Sequence, residues 1–151
     1  MTRSERIQPV QRVMDEDERR AARRVGESQR KLAEAEKKLL ELQDYQRDYE
    51  RSFGARAAAG ASGHALRDYQ AFLGRLAEAV RQQGLLVANA REDVLLETQL
   101  WQGAAVRVKA LDTVVTQWRG EERRDQDRRE QKASDEFSQQ LSHRRRENPG
   151  T

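Results

Sequence analysis

The amino-acid sequence predicts an all-α chain, a long antiparallel two-helix coiled coil folded as a helical hairpin. Two observations carry this. An apolar heptad repeat runs from Leu66 to Trp118, preceded by a matching one from Ile7 to Phe53, and the glycine-dotted stretch Gly54 to Gly63 separates them. Prolines occur only at Pro9 and Pro149, which leaves the interval between them free of the strongest helix breaker.

The first helix is expected over about 9–53. With Val25, Leu32, Leu39 and Phe53 at position a, and Ile7, Met14, Ala21, Ala35, Leu42 and Tyr49 at position d, its seam is legible; Gln11, Glu18, Ser28 and Gln46 are the polar exceptions. Pro9 suits the start of a helix, where a missing N–H costs nothing. The turn is expected over 54–63, because Gly54, Gly60 and Gly63 would each cost a continuous helix about 1 kcal/mol relative to alanine. Ser62 is placed to cap the second helix.

The second helix is expected over about 64–142. Its a series, Leu66, Leu73, Val80, Val87, Val94, Trp101, Val108 and Val115, is apolar throughout. Its d series is Tyr69, Leu76, Gln83, Ala90, Glu97, Ala104, Leu111 and Trp118, with Gln83 and Glu97 the exceptions. A heptad pattern sustained this long argues for a coiled coil over an ordinary amphipathic helix. At 1.5 Å rise per residue each arm runs roughly 70–80 Å, so arms folded back on each other can bury both seams. Tyr45 and Phe72 then lie at the same height near the turn. The rival, a parallel homodimer of one uninterrupted helix, would carry three glycines through its middle. Beyond Trp118 the apolar seam stops, since its continuation places Glu122, Asp125 and Arg129 inward. The segment 119–151 is expected to overhang the N-terminus as a charged, partly frayed helix ended by Asn148, Pro149 and Gly150, within one coiled-coil domain spanning 1–151.

Composition agrees with a rod. Charged residues and hydrophobic residues each make up 36% of the chain, more charge and less apolar content than a globule carries. The 29 basic and 26 acidic residues are interleaved, so the net charge of +3 describes a mixed-sign surface, which argues against nucleic-acid binding by phosphate neutralisation. The absence of cysteine excludes disulfides and thiolate chemistry. No membrane span and no apolar signal-peptide core is readable, and a soluble intracellular protein is expected. The two histidines, His64 and His143, fall at opposite ends of the rod without metal-ligand spacing. No phosphate-cradling glycine loop is present. We therefore expect no enzyme, no cofactor, no metal and no small-molecule substrate.

The residues point instead to contact surfaces. Position g of the second helix carries Phe72, Ala79, Leu86, Leu100 and Val114, which widens the apolar stripe past what one partner helix covers. Phe72, Leu76, Ala79 and Gln83 line up near the turn, with Leu42, Tyr45 and Tyr49 beside them on the first helix. Either broad-seam packing within the hairpin or a docking partner covers this aromatic-rich patch. In the tail, Phe137 and Leu141 are i, i+4 neighbours on an otherwise polar helix, either incidental or a small anchor for a partner. The run Arg144, Arg145, Arg146 reads as a solvated tail end.

LQDYQRDYERSF at 42–53, LRDYQAFLGRLAEAVRQQ at 66–83, Trp101, and EQKASDEF at 130–137 together resemble the FliJ family of flagellar type III export proteins. The resemblance covers nearly the whole chain, and its most specific parts are the Tyr45/Tyr49 pair, the block around Phe72 and the terminal EQK–DE segment. It implies a fold similar to the central stalk of rotary ATP synthases. It also implies binding to the FliI-type hexameric export ATPase through the open end, contact with the FlhA-type export gate, and escort of export chaperones, at the cytoplasmic face of the inner membrane. The family's gate-contacting surface falls on Phe72, Leu76, Ala79 and position 83, with Leu42, Tyr45 and Tyr49 adjoining. Candidates for the ATPase contact are Glu130, Gln131, Lys132, Asp135, Glu136 and Phe137. Gln83 departs from a frequent histidine and Lys38 from a glutamine, which implies a weaker or differently tuned gate contact. A monomer is expected in isolation; the alternative reading is a structural scaffold that self-associates through the wide stripe and has no ATPase partner.

Overall fold

A computed structural model describes residues 1–148 and 150; the helix-ending role expected of Pro149 lies outside the described residues. Among the described residues there are three helices, α1 (Arg3–Arg6), α2 (Gln8–Ala58) and α3 (Gly63–Glu147). It is an all-α helical hairpin in which α2 packs against α3. Among the described residues no helix is long and apolar enough to cross a membrane.

The helical start lies earlier than the seam alone indicated. Thr2 accepts a hydrogen bond from the Glu5 N–H and donates its own N–H to the Glu5 carboxylate, a reciprocal capping box that opens α1. The break at Ile7 follows from Pro9, which has no N–H to continue the hydrogen-bond ladder. The turn is shorter than expected. Gly54 stays helical, because a single glycine among good helix formers is tolerated, and α2 runs on to Ala58. Among the described residues only Gly60 adopts the left-handed conformation, at φ +84°. There the Ala61 N–H reaches the Arg56 carbonyl at 3.1 Å and the Gly60 N–H that of Ala57 at 3.3 Å, the paired bonds of a Schellman stop. Ser62 then caps α3, its Oγ accepting from the Ala65 N–H at 3.2 Å.

The chain divides into two compact units, one of Asp17–Ala104 and one combining Met1–Glu16 with Ala105–Thr151. In the first, Ala21, Leu76, Val87 and Ala104 are buried between the antiparallel helices. Several polar seam residues also face inward and meet partners. Gln83, only 6% exposed, donates from Nε2 to the Ala35 carbonyl at 3.0 Å. Trp101 Nε1 donates to Glu18 at 2.7 Å, and Ser28 Oγ donates to the Val25 carbonyl at 2.8 Å. Glu97 Oε2 accepts no hydrogen bond but lies 3.5 Å from Arg24 Nε. Such polar insertions trade some burial for a fixed register.

In the second unit Val115 is 1% exposed and Ser4 6% exposed, with Ile7, Met14, Val108, Leu111 and Trp118 half-buried around them. The packing continues past Trp118, where the sequence indicated a stop. Glu122, at the next a position, is half-buried and accepts from both the backbone N–H of Ser4, at 3.1 Å, and its hydroxyl. A charged residue thus extends the seam because a polar partner meets it. From Arg123 to Asn148 every residue is exposed.

Replacing Leu76, 7% exposed, by alanine is expected to lower stability in denaturant titrations by about 2–4 kcal/mol. Leu86→Ala, at a site 55% exposed, should change it by no more than about 0.5 kcal/mol.

Candidate interaction surfaces

Beside the turn, the i, i+4 spacing of α2 sets Tyr45 over Tyr49, with ring centroids 4.9 Å apart. Across the seam Phe72 lies 4.6 Å from Tyr49 and 6.3 Å from Tyr45, the latter edge to face. Tyr69 sits 5.8 Å from Tyr49 and 6.3 Å from Phe53. Arginines close the cluster: the Arg75 guanidinium lies 5.8 Å from the Phe72 ring and that of Arg56 5.0 Å from the Tyr69 ring. The Tyr49 hydroxyl is held above its usual range, first by its hydrogen bond with Tyr45, then by the charge of Tyr45 and by burial, with Arg56 acting in the opposite sense. The Tyr49 phenol is therefore neutral at neutral pH, and the rings form an apolar body with polar tips, edged by the two arginines.

The residues expected to form this surface divide. Tyr45 is exposed, and Leu42, Tyr49, Phe72 and Ala79 are half-buried. Leu76 and Gln83 are buried, because as d positions they point at α2, and the amide of Gln83 is committed to Ala35. The accessible patch thus narrows to Leu42, Tyr45, Tyr49, Phe72 and Ala79. Phe53 and Tyr69 join the cluster although the sequence reading left them in the seam; their signal was the run of aromatic a and d positions on either side of the turn.

At the other candidate surface, Glu130, Gln131, Lys132, Asp135, Glu136 and Phe137 all lie exposed on the C-terminal part of α3. Internal hydrogen bonds at i, i+4 spacing hold this helix, from Gln126 to Glu130 and from Gln131 to Asp135, each at 3.1 Å. Phe137 is 63% exposed and Leu141 42%, one turn apart on the same face.

Where this helix begins, the N-terminal segment clasps it. Besides the Ser4 to Glu122 bonds, Arg3 pairs with Glu121 at 2.9 Å and lies 5.1 Å from the centre of the Trp118 ring. The Glu122 carboxyl is held below its usual range, first by the Ser4 hydroxyl, then by the Ser4 N–H and by Arg3 and Arg119, against an opposing desolvation. The apolar heptad pattern alone gives no sign of this clasp. Its readable signs were the Thr2/Glu5 capping pattern and the a-position spacing of Glu122.

A family model described as "Flagellar FliJ protein" matches residues 3–147. The flagellar FliJ protein of Salmonella typhi is 29% identical over 127 residues, covering 84% of this chain and 86% of the relative. That of Escherichia coli (strain K12) is 28% identical over the same length, with the same shares. No solved structure matches at a significant level.

A carboxyl whose ionisation is favoured in the folded state stabilises that state above its unfolded pKa and ceases to do so as pH falls through the lowered folded value. The clasp should therefore hold at neutral pH and release in acid, below the ordinary carboxylate range. In a Trp101→Phe background, Trp118 fluorescence should report this release, and Glu122→Gln should diminish the pH step.

Proposed function

The chain belongs to the flagellar FliJ family, and we propose that it serves as a non-enzymatic stalk and adaptor of the type III export apparatus. In this reading the exposed C-terminal part of α3 engages the hexameric export ATPase of the FliI type. The aromatic patch beside the turn engages the FlhA-type gate at the cytoplasmic face of the membrane, and export chaperones are assisted there. The observation that carries the reading is the helix from Arg123 to Glu147, exposed throughout and bearing Phe137 and Leu141 on a charged scaffold. An amphipathic helix with two apolar anchors a turn apart is a form that a groove on another protein can accept.

The patch supports the second contact on separate grounds. Tyrosine and phenylalanine are preferred interface anchors, since they bring large area with few rotatable bonds. The ring contacts already fix Tyr45, Tyr49 and Phe72, so binding has little side-chain entropy left to remove. Gln83 contributes through the seam: it holds α2 and α3 in register beneath the patch, and its identity should matter little to a gate partner.

Truncation after Arg129 keeps the clasp and removes the ATPase candidates. It should abolish stimulation of the ATPase, and full stimulation by the shortened chain would end this assignment. Tyr45→Ala combined with Phe72→Ala should weaken gate binding at least about tenfold, near 1.4 kcal/mol, with helical content unchanged. Gln83→Leu should leave gate affinity within about twofold, since it changes a side chain turned away from the partner.

A further inference from the structure

The two compact units are held shut by different means. Asp17–Ala104 contains the turn, which joins its two arms covalently, and the rings of Tyr45, Tyr49, Phe53, Tyr69 and Phe72 pack beside that turn. In the unit of Met1–Glu16 and Ala105–Thr151 no turn joins the arms, so only side-chain and backbone contacts keep them together. Elements held in this way are the ones that open locally while the rest of a fold persists.

The apolar contribution to this second unit is small. Among its described residues Val115 is the fully buried apolar side chain, while Ile7, Met14, Val108, Leu111 and Trp118 are half-buried and return only part of what full burial would. Gln11 reaches Asp112 across the arms at 3.4 Å. The stronger ties are those of the clasp, where Ser4 gives both its N–H and its hydroxyl to the Glu122 carboxylate and Arg3 bonds Glu121 beneath the Trp118 ring contact. Bonds to a charged acceptor outweigh neutral ones, and the Ser4 pair is the half-buried one, whereas the exposed Arg3–Glu121 pair adds little by itself. The turn that bears the clasp is also set off from α2. Pro9 has no N–H to give, and the backbone ladder resumes with the Gln11 N–H on the Ile7 carbonyl at 3.0 Å, so α1 is hinged on α2 and fastened by α3.

We propose that the clasp is the latch of a reversible opening confined to this unit, in which α1 leaves α3, residues 8–16 part from 105–122, and Asp17–Ala104 stays folded. Closed, α3 is paired as far as Glu122. Open, it runs as a single helix from Ala105 onward, with Leu111, Val115 and Trp118 uncovered. The Trp101 indole bond to Glu18, at 2.7 Å, lies at the edge of Asp17–Ala104 and is a directional tie that opening from the clasp would have to break before going further. The latch thus sets how much of α3 is free at the root of the exposed helix 123–147. It is a property of this chain alone, so it stands or falls separately from the ATPase contact assigned to that helix.

Hydrogen exchange of the full chain at neutral pH, resolved by peptide mass spectrometry, tests the latch. Amides of 10–16 and 105–118 should exchange at least about tenfold faster than those of 24–50 and 70–100. Ser4→Ala combined with Glu122→Gln should speed the first set at least about fivefold further and leave the second within about twofold. Because the chain has no cysteine, Ser4→Cys with Glu122→Cys offers two thiols that a short bis-maleimide can bridge, and the bridge should return the first set to slow exchange. One common rate for both sets, or acceleration of both by the double variant, overturns the proposal. Exchange in the terminal unit that neither the variant nor the bridge changes overturns it as well.

Discussion

Everything in this structure depends on the mutual burial of two heptad seams carried by one chain. Isolated helices are marginal in water, and neither arm has the composition to bury its apolar stripe alone. Folded back at Gly60, each arm supplies the partner the other lacks. Among the described residues few apolar side chains are fully buried, Ala21, Leu76, Val87 and Ala104 in one unit and Val115 in the other, and most seam residues are only half-covered. A two-helix seam has no deeper layer. Stability therefore accumulates from many modest contacts, and polar members of the seam must each be satisfied locally.

Those polar members define the pairing as much as the apolar ones. A slip along a uniform leucine seam costs little, whereas a slip of one heptad would take Gln83 from the Ala35 carbonyl and the Trp101 indole from Glu18. Ser4 and Glu122 do the same work where the apolar pattern has already ended. Register in turn decides what is left over. It sets Tyr45 and Phe72 against one another beside the turn, and it directs the leucines of α3 outward. The exposed surfaces proposed for partners are thus consequences of the seam's placement.

Much of this was readable in the residues. The eight a positions of α3 are all apolar, and every one is at least half-buried. Gly60 and Ser62 ended one helix and opened the next through chemistry that the sequence displays. Less legible were effects that depend on competition between terms. Gly54 looked like the start of a turn, yet the alanines after it outweigh its cost. Glu122 looked like the end of packing, because a heptad count scores charge as failure and cannot see Ser4 arriving from the other arm. Within the candidate surface, Phe72 and Gln83 share a stripe although the heptad puts one at g and the other at d, and the structure leaves the g residue at the rim and buries the d residue against α2.

The central claim, that the chain is its own partner in one antiparallel register, is open to a single distance measurement. Glu36 and Arg91 lie 55 residues apart in sequence and form an ion pair of 3.3 Å across the seam. Spin labels at Glu36→Cys and Arg91→Cys, in protein diluted with excess unlabelled chain, should give one narrow distance below about 25 Å, the two label arms included. Loss of that short distance on dilution, leaving only the roughly 80 Å of an unfolded-back helix, would contradict the account.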